Sequence, residues 1–243
     1  MSPRLSGVVL ALTVVVATLW LAATNQLILY IHPRYVVFTV IMAVLALAVA
    51  VASFATHPDD HDEPTPRGWR RILSFSALAL TLVIAVGLVV VPPATLTSAT
   101  VSSRDLNSTG AGAEVQSIDE AASGDDASFA RFTVRDWASL LGQTSDPAFY
   151  ASKPVDVTGF ITSAGDDDIF YVSRFVITCC AVDAQPVGVP VYLPNWSDEH
   201  EVDDWVHLTG EFTSNPSSGS AEPLAVVPAT VERIGTPDEP YLF

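Results

Sequence analysis

Two adjacent cysteines, Cys179 and Cys180, are the only cysteines in the chain and its most chemically reactive side chains. Asp183 follows three residues later and adds a carboxylate to the two thiols. Neighbouring side chains of a regular strand point to opposite faces, so both sulfurs can bind one ion only where the strand ends or bulges. Asp183 and Pro186 favour such a break at this point of the chain.

Three interpretations of the cysteine pair follow from residue chemistry. In the first, one thiol packs in the core and the other caps a strand end, since cysteine is often simply buried. In the second, the pair captures a soft metal ion or a thiol-reactive molecule, with Asp183 as a third ligand. In the third, the pair is a redox switch through a strained disulfide, because adjacent Cα atoms lie about 3.8 Å apart, below the usual disulfide range of about 4.4–6.8 Å.

Histidines supply the other candidate sites. His57 and His61 lie four residues apart among acidic residues, which is a weak candidate site for Zn²⁺ or Ni²⁺ because Pro58 prevents the helix that would align them. His32 and Arg34 follow the first apolar run, where we expect them to contact lipid headgroups or a partner helix at the outer membrane edge.

Three apolar runs, at about residues 6–30, 36–55 and 72–91, contain no Lys, Arg, Asp or Glu. About 20 apolar residues are needed to cross the hydrocarbon core of a bilayer as a helix, so residues 1–92 are predicted to hold three transmembrane helices. Basic residues stay on the cytoplasmic side, and three of them precede the third run: Arg67, Arg70 and Arg71. We therefore expect a multi-pass plasma-membrane protein with a cytoplasmic amino terminus and an extracytoplasmic carboxy-terminal domain.

The charge is concentrated in the second part of the chain. The whole sequence has a formal net charge of −16, and residues 93–243 carry six basic against 23 acidic residues. Phosphates would be repelled by such a domain, which excludes nucleic acid as a partner. The sequence also has no Gly-x-Ser-x-Gly, His-Glu-x-x-His, phosphate-loop or dinucleotide motif, so we expect no enzymatic activity.

The region after the apolar runs reads as a tether and a β domain. Residues 93–128 are rich in Ser, Gly, Ala and acids and are predicted to form a flexible tether. Within residues 129–243, helical spacing predicts a short helix over 133–141 with Gly142 just past its end. Five strands are predicted near 155–161, 169–177, 187–193, 205–212 and 224–234. We expect a five-stranded barrel of the oligonucleotide/oligosaccharide-binding (OB) type, or alternatively a small β-sandwich.

Several short strings resemble a known bacterial family. They are Tyr30-Ile31-His32-Pro33-Arg34, Arg174-Phe175, Cys179-Cys180-Ala181-Val182-Asp183-Ala184, Pro186, Gly188 and Pro240-Tyr241. The chain resembles the YcgQ-like family of permease subunits, in which a small membrane protein with an outward carboxy-terminal domain is encoded beside a multi-spanning permease. Some members have a His-rich inner loop, of which only His57 and His61 remain here.

The residues and the resemblance together predict an accessory subunit. Its spans carry no charge that would mark an ion path, so it would act beside a permease and within the lipid bilayer. The expected cofactor is unknown beyond a soft metal ion at the cysteines. Two alternatives stay open: a stand-alone extracytoplasmic redox or metal-binding module, and a structural envelope protein.

Overall fold

The computed structural model describes residues 3–56, 95–108 and 117–243, together with Ser76, Ala79, Val83 and Gly87. The chain divides into two compact units, Met1–Ala94 and Thr95–Phe243. The first unit is mainly helical in its described residues, and the six strands that the structure describes all lie in the second unit.

The amino-terminal unit contains two apolar helices, α1 (Pro3–Ala23) and α2 (Pro33–Thr56), which pack against each other. Among the described residues, one stretch, Pro33–Ala52 of α2, is long and apolar enough to cross a membrane. The apolar part of α1, Gly7–Ala23, is shorter. The predicted third span, 72–91, lies mostly outside the described residues, and its four described positions are helical.

The first apolar run does not form one helix to residue 30, because α1 ends at Ala23. Asn25 adopts a left-handed conformation (φ 57°), and Gln26 N–H donates to Leu21 O (2.8 Å). This hydrogen bond and the left-handed Asn25 are the features of a Schellman motif, with Asn in the position that glycine usually takes. Leu27–Leu29 then forms a short 3₁₀ helix before Pro33 begins α2, a position where proline is favoured.

The second unit is built on a six-stranded mixed sheet. Its strands are β1 (Pro154–Asp166), β2 (Ile169–Val176), β3 (Gln185–Tyr192), β4 (Trp205–Ser214), β5 (Leu224–Ile234) and β6 (Tyr241–Leu242). The order is β1-β4-β5-β3-β2-β6, and β1 also pairs with β2. The five long strands therefore form a closed ring, with a parallel β3–β5 contact at Val191 and Val226. The sequence prediction found these five strands and missed β6, which pairs parallel with β2.

Glycine and proline residues shape the ring where strands approach closely. A Cβ at Gly159 would lie 2.6 Å from Ser173 O, and one at Gly210 would lie 2.5 Å from Val227 O. Gly210 pairs with Pro228 beside a β-bulge, where proline is tolerated because the ladder is already interrupted. Pro190 lies in β3, which has a continuous partner only on its β2 side, so the strand can hold a residue without a backbone N–H.

Helix α6 (Val134–Gln143) packs against β1, β2 and β3. Its first turn is fixed by a capping box, in which Asp136 accepts hydrogen bonds from the backbone N–H and the hydroxyl of Thr133. Trp137 is completely buried against the rings of Phe132 and Phe212. Gly142 lies inside the helix and not just past its end as predicted. The short helix α7 (Pro147–Tyr150) follows and packs on β4.

Residues 95–108, which we call the strap, lie on the β domain. They include a short helix, α3 (Ser98–Val101). Leu96 N–H donates to the Tyr241 hydroxyl (3.0 Å), and the Asn107 side chain donates to Gly188 O (2.9 Å) and accepts from Gly188 N–H (2.8 Å). The sequence predicted a flexible tether over 93–128, but these bonds attach its first part to the domain. Two further short helices, α4 (Ile118–Ala122) and α5 (Asp126–Phe129), lie in its last part.

Candidate functional site

The two cysteines lie in residues 177–184, the connection between β2 and β3, which we call the thiol loop. The Cys179 residue is exposed and Cys180 is partly buried. The strand ends at Val176, so the pair is not in a regular strand and its side chains are not forced to opposite faces. Since neither thiol is buried, core packing does not account for the pair.

Asp183 folds the thiol loop through its carboxylate. It accepts hydrogen bonds from the backbone N–H groups of Cys179 (2.7 Å), Thr178 (3.2 Å) and Cys180 (3.4 Å). Ala181–Asp183 forms one turn of 3₁₀ helix, with Cys180 as its N-cap and Asp183 N–H donating to Cys180 O (3.0 Å). Sequence reasoning treated Asp183 as a possible ligand and as a residue that favours a break in the strand, and it missed that the Asp183 carboxylate accepts three backbone N–H groups of the loop.

Three donor groups converge at this turn. The Sγ atoms of Cys179 and Cys180 are 3.5 Å apart, and one ligand atom from each of Cys179, Cys180 and Asp183 lies within 4.8 Å of the other two. Two sulfurs and one carboxylate oxygen form a donor set suited to a soft or borderline metal ion. The spacing agrees with the sequence expectation that the three residues can act together where the strand breaks.

Hydrogen bonding within the site shifts the pKa of Cys179 and the pKa of Asp183 in opposite directions. Hydrogen bonding to Asp183, then to Cys180, raises the pKa of Cys179 to about 12. Partial burial alone would raise the pKa of Asp183, but hydrogen bonds from the Cys179 side chain and from three backbone N–H groups lower it below its usual value. Disulfide exchange and metal binding both require a thiolate, so the raised pKa of Cys179 opposes both reactions at neutral pH. A bound cation would displace the thiol proton.

Both ends of the thiol loop are fixed to the domain. At its start, Ile177 N–H donates to Leu242 O (2.9 Å) of β6. In its middle, the Arg104 guanidinium of the strap donates to Val182 O (3.1 Å). Just beyond its end, Asn107 N–H donates to Pro186 O (3.1 Å). Arg104 and Asn107 were missed from the sequence because a segment rich in Ser, Asp and Gly has no periodicity that would place it on a surface.

Arg174 supports the site indirectly, through the segment that leads into β6. Its guanidinium donates to Thr158 O (3.2 Å) and Glu239 O (2.6 Å) and lies 5.2 Å above the Trp205 ring. Burial lowers the pKa of Arg174 to about 10, against the opposing effect of Glu239. The arginine thus holds the segment leading into β6, and β6 in turn holds the first residue of the thiol loop.

The remaining predicted site residues lie elsewhere. His32 is buried, and its Nδ1 accepts a hydrogen bond from Arg34 N–H (3.1 Å) at the start of α2. This contact gives His32 a local capping role, while the predicted headgroup or partner contact of His32 and Arg34 stays a prediction. His57 and His61 lie outside the described residues. Within the described residues, Cys179, Cys180 and Asp183 form the one cluster of three potential metal ligands.

In the comparison with known proteins, one family model matches each of the two parts of the chain. The DUF1980 N-terminal domain model matches residues 6–107, and the DUF1980 C-terminal domain model matches residues 116–243. The second match alone contains the six strands and the thiol loop. No curated protein and no solved structure matches this chain.

Proposed function

Because this chain belongs to the DUF1980 family, we propose that it is a membrane-anchored accessory subunit whose β domain captures a soft metal cation at Cys179, Cys180 and Asp183. The observation that carries the proposal is the convergence of two exposed or half-exposed sulfurs and a carboxylate within 4.8 Å. A thiol-reactive small molecule is the other ligand class that this donor set would accept.

The proposed membrane topology is three spans with an outward carboxy-terminal domain. The described helix α2 supplies one span that meets the length requirement, and the apolar runs 6–30 and 72–91 supply the other two in this proposal. The arginines before the third run are the basis for the orientation. An outward β domain would lie in an oxidising compartment, where two free thiols need a stabilising ligand.

We also propose that the β domain is an OB-like barrel. The ring order β1-β2-β3-β5-β4 and the parallel β3–β5 contact support a five-stranded Greek-key barrel. In such a barrel the thiol loop is a surface connection, which suits a site that must receive a ligand from solution.

The proposed partner is a multi-spanning permease in the same membrane, as in the YcgQ-like proteins that the sequence resembles. The apolar runs contain no charged residue, so this chain alone offers no path for an ion. Large apolar side chains of α2 are exposed, among them Val37, Phe38 and Ile41, and can contact lipid or another helix. Affinity purification from native membranes is expected to yield a multi-spanning protein, and recovery of this chain alone would contradict the partnership.

Metal capture is tested by titrating the purified, metal-free full chain with Cd²⁺ and recording thiolate-to-cadmium charge-transfer absorption. We expect one equivalent to bind, and we expect Cys179→Ser and Cys180→Ser each to abolish the band. Asp146→Asn is the matched control, because Asp146 also caps a backbone N–H, that of Ala148, on an exposed surface far in sequence from the thiols. Absorption that persists in both cysteine variants would contradict metal capture. Formation of a disulfide without metal binding would instead favour the redox module.

A further inference from the structure

The separation of the two sulfurs constrains the coordination geometry of an ion that both would bind. With a metal–sulfur bond of about 2.3 Å, a tetrahedral centre requires sulfurs about 3.8 Å apart, and a linear S–M–S unit requires about 4.6 Å. The Sγ atoms of Cys179 and Cys180 are 3.5 Å apart. At that separation an ion between them has an S–M–S angle of about 100° for the same bond length, which is near tetrahedral and far from linear.

The positions of the sulfurs are set by the fold of the loop. The Asp183 N–H donates to Cys180 O (3.0 Å), and the Asp183 carboxylate accepts the Cys180 N–H (3.4 Å), so the turn that carries both thiols is closed on itself. The Cys179 thiol is hydrogen-bonded to both Asp183 and Cys180. Opening the pair to a linear arrangement would move the two sulfurs apart by about 1.1 Å, whereas a tetrahedral ion needs a change of only a few tenths of an ångström.

The third donor and the charge point to the same class of ion. A carboxylate oxygen is a common ligand of Zn²⁺ and its d¹⁰ relatives, but it is a poor ligand for monovalent soft ions, which prefer thiolate and thioether sulfur. Two thiolates and one carboxylate carry three negative charges, of which a divalent ion neutralises two and a monovalent ion only one.

The fourth position of such an ion would be open. Cys179, Cys180 and Asp183 are the only cluster of candidate ligands in residues 3–56, 95–108 and 117–243. Cys179 is exposed, and Val182, in the same turn, is 83% exposed, so the turn faces solvent. Closed structural zinc sites have four protein ligands, while sites that exchange a ligand have three.

We propose that the thiol loop binds a tetrahedral divalent d¹⁰ cation, Zn²⁺ or Cd²⁺ in class, through Cys179, Cys180 and Asp183, with a fourth position open to an exchangeable donor. This inference rests on the proposed metal capture and specifies its ion. A site of this kind holds a cation without enclosing it, so a donor from solution or from a partner protein can enter the fourth position.

The test uses Co²⁺ as a spectroscopic probe of the full-length, metal-free protein. We expect the intense visible bands of tetrahedral Co²⁺, displaced by equimolar Zn²⁺, and a spectral shift when imidazole is added to the open position. The weak bands of octahedral Co²⁺, or a tetrahedral spectrum unmoved by imidazole, would overturn the inference. Displacement of Zn²⁺ by Cu⁺, with X-ray absorption showing a two-coordinate Cu⁺ centre, would also overturn the inference. That outcome would leave the proposed capture of a soft metal intact. Absence of binding by Cd²⁺, Co²⁺ and Cu⁺ alike would refute both proposals.

The role of the carboxylate is tested with two substitutions. Asp183→Asn is expected to weaken Zn²⁺ binding by at least tenfold and to change the Co²⁺ spectrum, because a ligand is lost. Asp183→Glu keeps a carboxylate and is expected to bind Zn²⁺ more tightly than Asp183→Asn does. We expect this difference even if the longer side chain weakens the hydrogen bonds that fold the loop. Asp146→Asn is again the control. Equal affinity of the wild type and Asp183→Asn, with both proteins folded by circular dichroism, would exclude Asp183 as a ligand.

Discussion

Asp183 has two roles that use the same carboxylate oxygen atoms. In the metal-free protein its carboxylate accepts three backbone N–H groups and the Cys179 thiol. A cation at the site would replace the thiol proton, while the backbone N–H groups can continue to donate to the carboxylate. The loop is therefore assembled before a ligand arrives, which reduces the ordering cost of binding.

How much of the site is predictable from sequence differs between its residues. Cys179, Cys180 and Asp183 were identified because they are the only two thiols of the chain and a nearby carboxylate, a donor set that can bind a soft ion. Arg104 and Asn107 could not be identified, since their partners, Val182 and Gly188, lie about 80 residues further along the chain. Contacts at that separation depend on the path of the strap, which local composition does not specify.

Asp204 contributes to the acid stability of the domain through its ion pair with Arg233. Partial burial tends to raise the pKa of Asp204, but hydrogen bonds from Arg233 and from Glu201 N–H lower it below its usual value. A lowered folded-state pKa gives stability that is present above the unfolded pKa of about 3.9 and is lost as the pH falls through the folded value.

We therefore expect Asp204→Asn to lower the free energy of unfolding at pH 7 and to leave it almost unchanged at about pH 2. The measurement is urea unfolding of both proteins at the two pH values. An equal loss at both would show that Asp204 acts through shape and hydrogen bonding and not through its charge.

At the scale of elements, the strap is the feature that most affects the site. Asn107 makes two side-chain hydrogen bonds to the backbone of Gly188 and has a left-handed backbone (φ 57°). Asn107→Gly removes the hydrogen bonds and keeps the conformation, at an expected cost of about 1 kcal/mol per bond. Asn107→Ala adds a further cost of about 1 kcal/mol for a left-handed residue with a Cβ.

The expected order of stability is therefore wild type, then Asn107→Gly, then Asn107→Ala, measured by chemical unfolding. Limited proteolysis within residues 95–108 is expected to accelerate in the same order. Ser103→Ala is the control, because the Ser103 hydroxyl donates only to Thr100 O within the strap. Unchanged proteolysis in both Asn107 variants would show that the other hydrogen bonds of the strap are sufficient to hold it.

Strand positions were predictable because alternating and β-branched residues mark them, but their ends and the sixth strand were not. β6 has only two residues, and it forms because Arg174 and β2 hold the chain there. The thiol loop was expected between two strands, with a break favoured by Asp183 and Pro186, because its flanks, Phe175 to Ile177 and Val187 to Val191, are strongly β-forming. The hydrogen bonds of Asp183 terminate the strand where hydrophobicity alone would continue it.

Two glycines provide a matched test of the β-bulge. A Cβ at Gly210 would lie 2.5 Å from Val227 O and 2.9 Å from Pro228 Cα, so β4 and β5 must separate to accept it. We expect Gly210→Ala to cost about 1–3 kcal/mol. Gly142 has nothing within 4 Å of its Cβ position and lies in α6, where Gly142→Ala is expected to add about 0.5–1 kcal/mol. Thermal unfolding of the two variants measures both changes in stability. A gain in both variants, or a loss in both, would contradict this account of the two glycine positions.

At the scale of the whole molecule, composition predicts some features of the protein, and the pairing of distant strands determines others. The apolar runs, the acidic charge and the boundary after the third run were readable because membrane insertion and net charge depend on composition. The closure of the five long strands into one ring depends on the pairing of β1 with both β2 and β4, which joins distant segments. Strand alternation alone was compatible with a barrel and with a sandwich. The β1–β2 and β1–β4 pairings are what join the five long strands into one ring.

The position of the β domain relative to the bilayer determines where a cation would be captured. The thiols are exposed or half exposed, so they can report on sidedness without any added probe site. If the β domain is outward, a membrane-impermeant maleimide is expected to label Cys179 or Cys180 in intact cells after mild reduction. The double variant Cys179→Ser with Cys180→Ser gives the background. Adding Thr65→Cys to that double variant places a single thiol in the predicted inner loop, which is expected to label only after lysis.

Two other outcomes of this labelling are informative. Native thiols that label only in broken cells would place the β domain inside and remove the basis for a site at a permease entrance. Labelling of Thr65→Cys in intact cells, with native thiols also reactive, would require an even number of spans between the two positions instead of the one predicted at 72–91. Zn²⁺ added outside intact cells before the maleimide is expected to protect the native thiols only if the β domain is outward, because a cation then reaches the thiol loop without crossing the bilayer.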